Sequence, residues 1–198
     1  MTEEQFNQFW ARHYPNSLPI SHTFKHEYPD RWLRIHSLPE SKRYAETTIE
    51  WEILLHRQNS LISDIFGEGL QVCLVTGLYS PKTLPAPNIR SDEVDSLKSY
   101  KFKLLEQIDL DKFSGEYFEE DLFYTPKFVE VIWESNRYDD LLKAVANYEL
   151  IAFFVSFEQN AIIAPYDGGV DIIFKDVETK RHYQLKYHEW LSDRTDGL

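Results

Sequence analysis

The chain has 198 residues, with 33 acidic against 21 basic side chains and a formal charge of −12. Apolar residues make up 42% of it and aromatics 15%, which excludes an intrinsically disordered protein. The acidity excludes a general nucleic-acid binder, which needs a basic footprint for phosphates. A single cysteine, Cys73, excludes an internal disulfide framework or a cysteine-rich zinc centre. The N-terminus, Met1 to Gln5, is polar and acidic, and no window approaches the roughly 18 apolar residues of a membrane span. A cytoplasmic protein with no membrane partner is expected.

In chain order, a helix is predicted from about Thr2 to His13, capped by Thr2 and apolar at Phe6, Phe9 and Trp10. Tyr14-Pro15 ends it. Residues 15–44 carry four prolines and read as irregular, with a short strand at Trp32 to Ile35. Thr47 to Glu50 form a capping box, and apolar residues from Ile49 to Phe66 recur at helical spacing up to Gly67, a left-handed stop. That spacing predicts a helix over 48–66. A strand at Leu70 to Leu78 follows, then a loop, Tyr79 to Asn88, with three prolines in seven residues.

Further strands are predicted at Tyr100 to Leu105 and Phe128 to Trp133, and a helix at Tyr138 to Tyr148. The strands Leu150 to Phe157 and Val170 to Phe174 flank a turn-rich connection. A last helix, Val177 to Leu191, starts after Asp176 as its cap, with Tyr183, Tyr187 and Trp190 on one face. Strands among helices without βαβ spacing predict an α+β fold, a mainly antiparallel sheet packed against helices on one face. A single domain, 1–198, is expected. It comprises an N-terminal helical portion (about 1–78), a Pro-rich loop (79–90) and a C-terminal α+β portion (about 91–198).

Pro165 to Asp171 is the most distinctive string. Asp167 and Gly168 supply the positive-φ residues of a tight turn, with Gly169 and Asp171 feeding the next strand. The competing reading makes Asp167 and Asp171 an acid–base pair or cation ligands, but two carboxylates are too few for a metal. His22 and His26 have helical metal-ligand spacing, yet Pro19 and Pro29 oppose a long helix there, so no metal and no cofactor is assigned. Cys73 lies in an apolar run and reads as packing. The locally basic stretch Arg31 to Tyr44 either binds an anion or uses Lys42 and Arg43 to pair with acids of a neighbouring element.

Three stretches carry a resemblance: Leu38 to Ala45 with the helix through Asn59, Pro165 to Gly169, and Trp190 to Ser192 with Gly197-Leu198. In combination they resemble an uncharacterised bacterial domain of unknown function. The resemblance implies a small bacterial cytosolic domain and carries over no activity and no catalytic residue.

The charge is regional. Glu106 to Asp140 holds eleven acids against three bases, a net of −8, interleaved with Phe113, Phe118, Phe123 and Trp133. Acids among aromatics suit a surface that steers and anchors a basic partner, or else a solvated face over core aromatics. The expectation is a non-enzymatic interaction protein, of bacterial immunity or antitoxin type. It would cover a basic, nuclease-like toxin through Asp109, Asp111, Glu116, Tyr117, Glu119, Glu120, Asp121 and Glu134. The rival readings are a scaffold domain, or an enzyme for a small anionic or nucleotide substrate. That enzyme would assemble Asp167, Asp171, His182 and Arg43 in one pocket.

Overall fold

A computed structural model of the chain describes residues 1–15, 17–83, 94–113 and 121–192. Among the described residues, eight strands form one antiparallel sheet: β1 (Trp32–His36), β2 (Gln71–Pro81), β3 (Lys103–Leu104), β4 (Ile108–Asp109), β5 (Leu122–Ile132), β6 (Ala152–Ser156), β7 (Ala161–Tyr166) and β8 (Gly169–Ile173). Their order is β1-β8-β7-β6-β2-β5-β3, with β4 also on β5. The helices are α1 (Glu3–His13), α2 (Phe24–Glu27), α3 (Thr48–Phe66), α4 (Asp139–Ala146) and α5 (Val177–Lys186).

Local signals decide the two best-predicted helices. Both α1 and α3 open on a capping box, Thr2 with Gln5 and Thr47 with Glu50, so two orphan amide donors are satisfied at each start. Gly67 ends α3 with φ at 93°, a conformation that a β-carbon would strain.

The α+β class and the antiparallel sheet are as expected, but helices cover both faces. In β6 the alternation of side chains sends Phe154 to one side and Phe153 and Val155 to the other. Phe154 packs with Leu61 and Ile62 of α3 and Leu141 and Leu142 of α4. Phe153 packs with Phe6 and Trp10 of α1 and Phe24 of α2. All residues of β6 and β8 are therefore buried, which is why these strands read as apolar runs without alternation. On the first side Trp133 is fully buried, stacks on Tyr138 at 5.3 Å, and donates from Nε1 to Ser63 Oγ at 2.9 Å. Cys73 lies in the second layer, where burial pushes its thiol pKa up to about 12.

Several boundaries differ from the sequence reading. Tyr79, Ser80 and Pro81 belong to β2, paired with Tyr124, Phe123 and Leu122, and Pro81 closes the strand where a missing donor costs least. The strand expected over Tyr100 to Leu105 contracts to β3, and β5 begins at Leu122, before its apolar run. Strand β7 occupies the connection read as turn-rich. Its Pro165 pairs only with β8, because the β6 ladder stops at Ile163. The last helix ends at Lys186, followed by a 3₁₀ turn at His188–Trp190.

Glu27, at the end of α2, places Oε2 in a buried position without a hydrogen bond. Burial raises its pKa to about 7, against a smaller opposing contribution from Thr23. The folded state thus binds a proton more tightly than the unfolded chain. Its stability contribution is full below about pH 4.5 and is lost as pH rises through 7. Unfolding in urea should show stability falling by on the order of 2 kcal/mol between pH 5 and pH 8 from this group. Glu27→Gln should remove that slope and raise stability at pH 8.

Candidate functional site

The chain places its chemistry at one corner of the sheet, where β1, β8 and β7 run side by side. The β7–β8 hairpin closes through two residues, Asp167 and Gly168, with Tyr166 facing Gly169 in the register. The tight turn is as read, but its backbone is not: neither Gly168 nor Gly169 has a positive φ. Glycine at 169 serves close approach instead. A β-carbon there would overlap the Ile35 carbonyl oxygen of β1 and crowd the Tyr166 hydroxyl at 3.0 Å.

Register then decides which charges meet. Arg34 of β1 lies directly opposite Asp171 of β8, so both side chains leave the same face. Their contact is bidentate: Arg34 Nε donates to Asp171 Oδ1 at 2.7 Å and Nη2 donates to Oδ2 at 2.8 Å. Both side chains are largely buried, at 13% and 12% exposure. Burial acts to lower the Arg34 pKa, and the hydrogen bonds and charge of Asp171 more than offset it, so it rises. The guanidinium also lies 4.6 Å from the Tyr166 ring centre.

A second pair closes the corner. Arg43 donates from Nε to Asp167, whose side chain is almost fully buried, and from Nη2 to the Tyr148 hydroxyl. Hydrogen bonding with Asp167 is the largest cause that pushes the Tyr148 pKa up to about 12. Tyr148 follows α4 with φ at 62°, a strained setting for a side chain of this size, and it is 62% exposed. Tyr44 stands beside it, ring centres 6.4 Å apart. Lys42 pairs instead with Glu46 and Glu50. Between the hairpin, α2 and the segment after α4 lies a cleft of about 240 Å³, with Arg34, Asp171, Tyr166 and Asp167 on its wall and His22 and Lys25 also lining it.

The structure thus unites three of the four residues of the dispersed-enzyme reading, Arg43, Asp167 and Asp171, and separates the fourth. His182 sits on α5, edge-on to Tyr183, in a shallow depression with Lys175, Asp176 and Glu178. Tyr148, read as the last residue of a helix, lies past the end of α4 and is exposed. Arg34 and Tyr166 lay inside stretches the sequence marked, but with no role assigned to either, and Lys25 lay in none; only the β1–β8–β7 register brings Arg34 to Asp171.

Of the acidic segment, Asp109 and Asp111 share one cation, Lys82. The Asp121 amide donates to Asp111 at 3.0 Å, and Glu134 pairs with Arg137 at 3.0 Å. Glu116, Tyr117, Glu119 and Glu120 lie outside the described residues. Among the described residues no cluster of three His, Cys, Asp or Glu could hold a metal ion, and no helix is long and apolar enough to cross a membrane.

The family model "Domain of unknown function (DUF3885)" matches residues 20–195, and the chain belongs to this family. No curated protein and no solved structure matches it. The match spans Arg43 and Asp167, which lie 124 residues apart and are joined by an ion pair.

Breaking the buried pair should cost far more than breaking an exposed one. Asp171→Asn is expected to lower unfolding stability by about 3 kcal/mol, because Arg34 keeps a buried charge without its counterion. Glu134→Gln, at an exposed pair, should cost no more than about 0.5 kcal/mol. Arg34→Met combined with Asp171→Leu should recover most of the loss, as read from urea midpoints.

Proposed function

We propose that this member of the DUF3885 family is a non-catalytic interaction protein, of the bacterial immunity or antitoxin kind, acting in the cytoplasm. It covers a basic surface on a protein partner, such as the active site of a nuclease-like toxin, with the acidic segment Glu106 to Asp140. The observation that carries this reading is the concentration of charge, eleven acids against three bases within Glu106 to Asp140. At the cleft, Asp171 and Asp167 are each held by a guanidinium, so neither is a free base or nucleophile. In the acidic segment, among the described residues, Asp109 and Asp111 divide a single Lys82 between them, Glu130, Glu134 and Asp140 each meet one cation, and Glu119, Glu120 and Asp121 stand consecutively in the same acidic run of the sequence. Excess negative charge on one segment accelerates encounter with a basic partner and disfavours acidic ones.

The test begins with capture of partners by the tagged protein in its native host. A basic protein should be retrieved. Replacing Glu119, Glu120 and Asp121 together by lysine should then weaken its binding by about 100-fold, mostly through slower association at low salt. The variant's circular dichroism should stay unchanged. Retrieval of no basic partner, or unchanged affinity in the folded variant, would overturn the reading.

A further inference from the structure

We propose that the cleft between α2, the β7–β8 hairpin and the segment after α4 is a binding site for a small organic anion. The ligand has a carboxylate or phosphate head and a compact apolar body. This goes beyond the protein-partner reading and concerns a surface of opposite electrostatic character.

Charge supplies the first part of the argument. Asp171 and Asp167 are matched by Arg34 and Arg43, so their ion pairs leave no net charge at the wall. Lys25 also lines the cleft and has no ion pair among the described residues. The cleft therefore carries a positive excess within a chain of charge −12.

Pre-organised donors supply the second. A guanidinium has five N–H donors, and Asp171 occupies one on Nε and one on Nη2. The rest make no hydrogen bond among the described residues. Asp171 and the Tyr166 ring hold the group in place, so little side-chain entropy is lost when a ligand oxygen accepts from it. The Tyr166 hydroxyl, also without a hydrogen bond among the described residues, adds a donor beside it. A fixed arginine, a lysine and a phenol converging on one hollow are what an oxyanion head needs.

The third part is shape. Val145, Leu150, Ile151, Ala164 and Pro165 line the cleft. At about 240 Å³ it falls below the usual range for drug-sized ligands, so the body it takes is one ring or a short aliphatic chain.

The experiment titrates the full chain with phenylacetate and with phenyl phosphate, and with neutral phenylacetamide as the matched control, followed by protein NMR. At least one anion should bind saturably, at least about tenfold tighter than phenylacetamide. Phenyl phosphate against phenylacetate distinguishes the two head groups. Lys25→Glu should weaken the anion by about tenfold or more, and Lys25→Arg should keep it within about threefold. Ile151→Trp, a substitution at an exposed position lining the cleft, should block binding while the fold persists. The lysine triple variant at 119–121 should bind the anion unchanged, which separates this site from the partner surface. Equal binding of phenylacetamide, no saturable binding of either anion, or undiminished binding by folded Lys25→Glu would overturn the proposal.

Discussion

The pairing of Arg34 with Asp171 pins the register of β1 on β8, and the corner of the sheet depends on that register. Side chains alternate along a strand, so a slip of one residue would turn Arg34 onto the face occupied by Leu33 and Ile35. A charge would then enter the layer built on Trp133 and Phe154. Gly169 acts in the same direction, because only a residue without a β-carbon lets β8 come so close to the Ile35 carbonyl. An ion pair in low dielectric is weak as a source of stability and strong as a penalty on misalignment. Here it aligns the strand that carries the cleft wall.

The second organising constraint is the covering of the sheet from both sides. Helices α3 and α4 seal one face while α1 and α2 seal the other. The central strands can then be apolar throughout, and polar groups are displaced to the margins. Arg34, Asp171 and Asp167 lie at such a margin, partly or wholly withdrawn from water yet beside a hollow. Charge separates along the same lines. The cleft's carboxylates are neutralised by arginines of the 31–44 stretch, whereas the middle segment holds eleven acids against three bases of its own. One face suits a small anion and another a basic macromolecule.

Much of this was legible in the residues, and for local reasons. The capping box at Thr47 and the left-handed Gly67 bounded α3 to the residue, because caps act through bonds within four positions. The strands β1, β6 and β8 showed as apolar or β-branched runs. Strand β7 was missed, since Ala161, Ala164 and Pro165 give it a weak intrinsic signal and neighbours on both sides supply its pairing. The reach of β2 into Pro81 was missed for a similar reason: proline forbids a donor, not a strand edge.

What the sequence by itself determined was class, caps, the absence of a cysteine framework, the concentration of acid in Glu106 to Asp140, and the oddity of Pro165 to Asp171. It also offered Arg43 as a partner for acids without saying which. Only the tertiary structure decided that Arg43 meets Asp167 and Arg34 meets Asp171, that His182 stands apart from both, and that a hollow lies beside them. The physical reason is range. Caps and periodicity are written within a few residues, whereas an ion pair spanning 124 or 137 residues is settled by strand register and packing.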